Sequence, residues 1–413
     1  MTASRRVVVT GIGALTPIGH GADGLWDGVL AHRSAVRCID RFDPRDFPSQ
    51  IAAQVNDFEP ADHLDARRAR RLDRFSQMAV ATSRMAAEDA AYDADRRAER
   101  TGVYIGSALG GVAFAEEQHV RYVEGGLRSV APTLALAVFG GAGASNVAID
   151  LGITGPSVGN ANSCASGAVA IGQAFHAIRS GEIDAALAGG AEAPLAPLTF
   201  GAFAMIRVLS QRNDDPGTAS RPFDVARDGF VMAEGAAMLM LEERSLAERR
   251  GARILAEIRG YATTNDAHHM TAPRPDGREA ARAMSGALAD AGIPPEAVDY
   301  VNAHGSSTVL NDPVESAAIR LALGDHADRI AVSGTKGLYG HPLGASGAIE
   351  AALCALAIER ATLPGTCNLR TPDPACRLPL LADAEARRVN VAVSNSLGFG
   401  GINAALVIGR YEG

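Results

Sequence analysis

The sequence predicts an α/β fold assembled from two related halves, and three observations carry that prediction. Short apolar strand patterns alternate with longer helical patterns along the chain. The stretch Ala165-Ser-Gly-Ala-Val-Ala170 returns 180 positions later as Ala345-Ser-Gly-Ala-Ile-Glu350, each copy opening an apolar helix after a glycine-containing loop, as an internal duplication would leave it. And 413 residues at 47% hydrophobic content suffice for one large or two medium cores.

Taken in order, Arg6-Val-Val-Val-Thr10 reads as a first strand, residues 76–91 as a helix and Ala185-Ala-Leu-Ala188 as a further strand. A charged helical pattern, Glu242 to Gly251, then gives way to a new strand, Arg253-Ile-Leu-Ala-Glu-Ile258, so the halves divide near 245–260 and are taken as residues 1–250 and 251–413. No low-complexity linker separates them, which predicts intimate fusion. The second half continues with a helix over 279–291, a short strand over 298–301 and another over 331–333. The small residues that start both repeated helices would let them approach closely about a pseudo-twofold axis, with Cys164 and Gly344 at equivalent positions.

Charge and composition narrow the function. A net charge of −8 argues against nucleic acid as a partner. Against that background Arg67, Arg68, Arg70, Arg71 and Arg74 fall within eight positions, either as a solvated helix face or as a docking patch for an acidic protein. The five cysteines, Cys38, Cys164, Cys354, Cys367 and Cys376, are odd in number and lack metal-type pairing, which fits a reduced cytoplasmic protein with no structural disulfide and no metal. Arg5-Arg6 before an apolar run is read as the entry to a strand rather than an export signal, because Gly11, Gly13 and Pro17 interrupt the run. The uncharged stretch 129–149 is long enough to test as a membrane span, but Pro132, Gly140, Gly141, Gly143, Ser145 and Asn146 suit a buried or interface segment better. Gly11-Ile-Gly13 lacks the third glycine of a dinucleotide fingerprint, which is Thr16 here.

The chemistry centres on Cys164. An extended polar run from Pro156 meets an apolar helix at this residue, which predicts a thiol on a helix's first turn, its pKa lowered from about 8.5 toward neutrality by the helix dipole and unpaired N–H groups. A lone cysteine of this kind is more often a small core residue. Two histidine motifs answer it, Val301-Asn-Ala-His304-Gly-Ser-Ser-Thr308 at the carboxyl end of a strand and Lys336-Gly-Leu-Tyr-Gly-His341-Pro in a glycine-rich loop before a helix. Near the carboxyl end stands Ser394-Asn-Ser-Leu-Gly-Phe399-Gly-Gly-Ile-Asn403.

These four motifs, in this order and spacing, resemble the β-ketoacyl-[acyl-carrier-protein] synthases, the decarboxylating condensing enzymes of the thiolase superfamily. The likeness is closest to the synthase II branch and the type II polyketide ketosynthases, and runs from Val7-Val-Val-Thr-Gly-Ile-Gly13 through Arg221-Pro-Phe-Asp and Glu234-Gly235 to Gly400-Gly-Ile-Asn-Ala. The resemblance implies a thiolase-like five-layered αβαβα fold from two pseudo-twofold related halves, working as a homodimer or as a heterodimer with a chain-length partner. It implies an acyltransferase that loads an acyl group on Cys164 and condenses it with malonyl-acyl carrier protein, the 4′-phosphopantetheine arriving on the carrier so that no resident cofactor is needed.

Residue by residue, the resemblance makes His304 and His341 donors to the enolate oxygen, and the N–H groups of Cys164 and Phe399 the oxyanion donors. Phe399 becomes a mobile gate, and Lys336 a local charge with Glu350 as a plausible partner. Ser306 and Thr308 stand where two threonines usually hold the pantetheine arm, and Leu109, Leu134, Ser163, Thr199, Phe203 and Glu350 are placed around the substrate. Arg67, Arg70 and Arg71 fall in the region where the carrier docks. Leu134, Thr199 and the glycine-rich 135–143 depart from the usual pocket residues and put ordinary fatty-acid elongation and a specialised polyketide pathway on equal footing. Two alternatives stay open. A thiolase would carry a second catalytic cysteine in the carboxyl-terminal glycine motif, where 394–401 has none. A chain-length partner subunit would lack Cys164.

Overall fold

The computed structural model describes residues 5–413. Ten strands form the body of one continuous sheet path: β1 (Val7–Thr16), β2 (Thr101–Gly106), β3 (Ser157–Asn160), β4 (Ala185–Glu192), β5 (Gly235–Glu243), β6 (Ala256–Asn265), β7 (Tyr300–Asn302), β8 (Ala331–Ser333), β9 (Val391–Gly398) and β10 (Ile402–Gly409). In the first half the spatial order is β3-β2-β4-β5-β1, and in the second it is β8-β7-β9-β10-β6. Counted from each half's own first strand, both read third, second, fourth, fifth, first. The pairing senses repeat as well, parallel for β2 with β3 and β4, antiparallel for β5 with β4 and β1, and likewise in the second half. The duplication signalled by six residues therefore extends through the topology. The halves join edge to edge where Val7–Val9 of β1 pair antiparallel with residues 256–258 of β6.

The helices that matter are α1 (Arg74–Asp89), α2 (Val112–Gly125), α3 (Ala142–Leu151), α4 (Ser166–Ser180), α5 (Pro197–Met205), α6 (Arg278–Ala291), α7 (Asn311–Leu323) and α8 (Ser346–Arg360). Outer helices α1 and α3 cover one side of the first half, and α6 and α7 cover the matching side of the second. The pattern of α6 explains its place: Ala280, Ala283, Met284, Ala287 and Leu288 recur at helical spacing on one buried face, and Gly292 ends the helix in the left-handed region. By contrast α8 is buried on nearly every side from Ser346 to Ile358, as a helix apolar all round must be. It packs on α4 between the two halves, in the largest apolar core. Gly167 and Gly347 make that approach possible, since a Cβ on either would lie 2.8 Å from an atom of the facing helix. The layers are thus helix, sheet, paired helices, sheet, helix.

Two expectations change at the junction. The stretch beginning at Glu242 is not yet helix, because β5 runs on to Glu243 and buries Glu242 against Arg250 and the Thr10 hydroxyl; the helix spans only Arg244–Arg249. The following strand starts at Ala256 rather than Arg253. Among the described residues no helix is long and apolar enough to cross a membrane, and 129–149 divides into short pieces around α3.

Candidate active site

Cys164 lies at the seam between the halves, in a three-residue 3-10 turn, Ser163–Ala165, that leads into α4. It therefore precedes the α-helix rather than standing on its first turn. Ser163 adopts φ 52°, the left-handed region that costs a non-glycine residue energy, and this sharp bend aims the sulfur across the seam. The matching residue of the second half, Leu343, repeats the feature with φ 37° ahead of Gly344.

Three side chains converge on the sulfur and on the space above it. His341 Nε2 lies 3.1 Å from Cys164 Sγ, and the Ser163 hydroxyl donates to the sulfur at 3.8 Å. The rings of His304 and His341 are 5.2 Å apart and nearly perpendicular. Each imidazole is oriented from behind. His341 Nδ1 meets the Ser346 hydroxyl at 2.8 Å, a partner able to donate or accept and so compatible with either tautomer. His304 Nδ1 faces the Lys336 ammonium at 3.4 Å, so this nitrogen accepts and the proton sits on Nε2. Lys336 also donates to the His304 carbonyl at 2.5 Å and is ion-paired with Glu350, with both charged groups fully buried.

Burial decides the protonation states. It pushes both imidazoles well below their ordinary value, helped by the positive charge of Lys336, so both are neutral near pH 7. It also pushes the Cys164 thiol up to about 11, against the Ser163 hydroxyl, the Lys336 charge and the Phe399 N–H, which favour thiolate. This corrects the lowered pKa expected from the sequence: desolvation of a cysteine only 6% exposed outweighs the helix terminus. The resting pair is a thiol beside a neutral imidazole that can take its proton.

A cavity of about 380 Å³ opens from this cluster. Leu109, Ser163, Phe203, Ser306, Thr308 and Phe399 line it together with Cys164, His304 and His341. Phe203, on α5, stacks on Phe399 at 6.2 Å, and Gly398, Gly400 and Gly401 surround that phenylalanine, the last two at positive φ. The Ser306 and Thr308 hydroxyls bond one another at 3.0 Å.

Other expected residues fall elsewhere. Leu134 and Thr199 do not line the cavity: Thr199 turns its hydroxyl to Glu116 on α2, whose carboxylate also accepts the N–H groups of Leu198 and Thr199 at the start of α5. Glu350 lies behind Lys336 and not against the substrate space. Of the arginine cluster, Arg67, Arg70 and Arg71 are exposed. Arg68 is ion-paired with Asp150, and Arg74 with the buried Glu234.

Two buried carboxylates escaped sequence reasoning. Glu315 accepts the N–H groups of His304 and Gly305 at 2.6 and 2.8 Å and the Asn395 amide at 2.8 Å, fixing the backbone that carries His304. Burial raises its carboxyl to about 6. Glu192 does similar work beside Gly344. Only the spacing of Asn311 and Glu315, four apart on α7 just after the His304 loop, was available as a signal, and it is an ordinary helix pattern.

A seam-placed cysteine backed by two neutral imidazoles, on a duplicated five-layered fold, defines a condensing-enzyme class of site. Comparison with known proteins agrees with this class. The model of the beta-ketoacyl synthase N-terminal domain matches residues 4–247 and that of the C-terminal domain matches 255–370, so the chain belongs to the beta-ketoacyl synthase family. Among curated relatives, it is 45% identical over 410 residues to a 3-oxoacyl-[acyl-carrier-protein] synthase 2 of Synechocystis sp., covering 99% of each chain. It is 43% identical over 408 residues to the protein of the same name from Coxiella burnetii, covering 98% of this chain and 99% of the relative. Among solved structures, it superposes with TM-score 0.91 and 35% identity on a type II PKS ketosynthase solved with its acyl-carrier protein and bound to the hexaketide. It superposes with TM-score 0.92 and 36% identity on the ishigamide ketosynthase/chain length factor. In both cases 99% of this chain and 100% of the other are covered.

Proposed function

We propose that the protein is an acyltransferase that joins an acyl thioester to malonyl-acyl carrier protein by decarboxylative Claisen condensation. The observation that carries this reading is the Cys164–His341–His304 cluster at the end of the cavity. In the first half-reaction Cys164 passes its proton to His341 Nε2, and its sulfur attacks the acyl thioester carbonyl. The resulting oxyanion is met by the N–H groups of Cys164 and Phe399, donors of a kind worth ~100- to 1,000-fold in rate. The carrier's thiol leaves with a proton and the acyl group stays on Cys164.

In the second half-reaction malonyl carrier loses carbon dioxide, and the electron pair of the broken C–C bond moves into an enolate. Two neutral imidazoles presenting N–H are suited to its oxygen: Lys336 holds His304 in that tautomer, and His341 adopts it when its proton moves from Nδ1 to Nε2 and the Ser346 hydroxyl turns from acceptor to donor. The enolate carbon attacks the acyl-Cys164 carbonyl, and collapse frees a β-ketoacyl carrier and expels the Cys164 thiolate, which takes a proton from water to restore the resting thiol. All of these steps use groups of the chain and of the carrier-borne substrates, so the reading calls for no resident cofactor or metal.

Arg67, Arg70 and Arg71 supply an exposed positive surface for an acidic carrier. A second subunit is supported by an apolar exposed face, Leu136, Val138, Phe139 and Ile149, beside β3, which ends the sheet path; the same face would serve a homodimer or a heterodimer. The reading places the enzyme in the cytoplasm, with four of its five cysteines buried and all of them free. Intact-protein mass after incubation with a panel of acyl carriers tests the reading. An acyl adduct on Cys164 that disappears when malonyl carrier is added is expected, and no adduct with any acyl carrier would overturn it.

A further inference from the structure

The duplication makes Gly344 the counterpart of Cys164. Each is the middle residue of a three-residue 3-10 turn, follows a residue of positive φ, and precedes a fifteen-residue helix by two positions. Each turn is also met by the last residue of a corresponding strand from the other half. Gly398 ends β9 against Cys164, where a Cβ would lie 3.2 Å from the Cys164 nitrogen, and Glu192 ends β4 against Gly344.

In the second copy the turn's N–H is taken up by a carboxyl group. Glu192 Oε2 accepts the Gly344 N–H at 2.9 Å and the Ala108 N–H at 2.6 Å, while Oε1 accepts the Leu109 N–H at 3.1 Å and the Ser107 hydroxyl at 2.9 Å. The carboxylate is fully buried, and four donors converge on it. A Cβ at position 344 would lie 2.6 Å from Oε2, so the glycine that replaces the nucleophile also leaves room for the carboxylate.

From this arrangement we propose that Glu192 is a positioning residue: its buried carboxyl group takes up the Gly344 N–H, the counterpart of the Cys164 oxyanion donor, together with the N–H groups of Ala108 and Leu109, and so holds two walls of the acyl cavity together. One wall is Ala108–Leu109, from the first half. The other is Leu343–Gly344, just beyond His341 and from the second half; Ala108, Leu109 and Leu343 all line the cavity. Without the carboxylate three N–H groups lose a buried acceptor, and both the cavity's end and the turn carrying His341 are released. The proposal rests on the condensing-enzyme reading.

The test is Glu192→Ala in the full-length protein, assayed with and without sodium formate, a carboxylate small enough for the vacated space. Turnover should fall on the order of ten- to a hundred-fold, as displacement of reacting groups by an ångström does. Formate should restore much of it, whereas sodium chloride at equal ionic strength should not, and the KM for the carrier substrate should change little because docking is remote. A folded alanine variant with wild-type turnover overturns the proposal, as does a loss that formate leaves untouched. If that variant does not fold, the isosteric Glu192→Gln, which turns an amide donor toward N–H groups, should fold and lose turnover. Wild-type turnover in it, or failure of both variants to fold, overturns the positioning role. The rate at which iodoacetamide alkylates Cys164 needs no carrier and should show the same formate-reversible change. A wild-type protein that fails to condense therefore sinks the functional reading while the Glu192 proposal is still decided by alkylation.

Discussion

Cys164 should rest as an un-ionised thiol, so that a reagent which needs thiolate meets only a small ionised fraction. Burial holds the thiol at about 11 against an ordinary 9.0, a difference worth about 3 kcal/mol. A helix N-terminus offers at most ~2 kcal/mol in favourable, partly buried geometry, so desolvation prevails. At pH 7 roughly one thiol in ten thousand is then ionised, where a pKa near neutrality would give about half. The assay is inactivation by iodoacetamide across pH 6.5–9.5, with the adduct located on Cys164 by mass. The rate should climb about tenfold per pH unit with no plateau in that range. His341→Ala removes the proton acceptor 3.1 Å from the sulfur and should slow acyl transfer from a small thioester more than it slows alkylation. A sigmoid rate profile with its midpoint near pH 7 would refute the argument, since it would mean that the helix terminus and Lys336 outweigh burial.

Other expectations follow from the same geometry. Cys164→Ala should abolish acyl loading and condensation while leaving the thermal transition in place; full condensation by that variant would exclude Cys164 as the nucleophile. His304→Ala and His341→Ala should each still accept some acyl group but fail at decarboxylative condensation, read by carbon dioxide release and product mass, and wild-type condensation by either would remove it from the donor pair. Lys336→Ala strands Glu350 as a buried unpaired carboxylate and should destabilise the fold by about 3–5 kcal/mol, whereas the double change Lys336→Met with Glu350→Gln should recover much of that loss in denaturant titration but not the activity. Changing Arg67, Arg70 and Arg71 together to Glu should raise the KM for carrier-bound substrate and spare transfer from an acyl-pantetheine, with the wild-type advantage fading as salt shortens electrostatic reach to about 8 Å. Equal losses with both substrates would make the cluster a support of the fold.

By itself the sequence determined the α/β class, the duplication and the identity of the central residues, because those are written in local pattern. A strand pattern running toward His304-Gly305, a glycine-rich loop before α8 and a repeated Ala-Ser-Gly-Ala are each legible from a few consecutive residues. The tertiary structure alone decided what those residues are electrostatically and who orients them. The thiol of Cys164 rises instead of falling because its burial is made by segments from across the chain, among them the His341 loop 177 residues away. Glu192, Glu315 and Ser346 acquire their places by bonds to backbone and side chains that fold back on them, and a carboxylate carries no mark in sequence of the N–H groups it will meet. Within the cluster of five arginines, Arg68 and Arg74 are held inward by Asp150 and Glu234 while Arg67, Arg70 and Arg71 stay exposed, a division set by where their carboxylate partners fold back. Thr199 turns from the cavity for a like reason: position along the chain names a neighbourhood, but the packing of α2 against α5 through Glu116 decides which way its side chain turns.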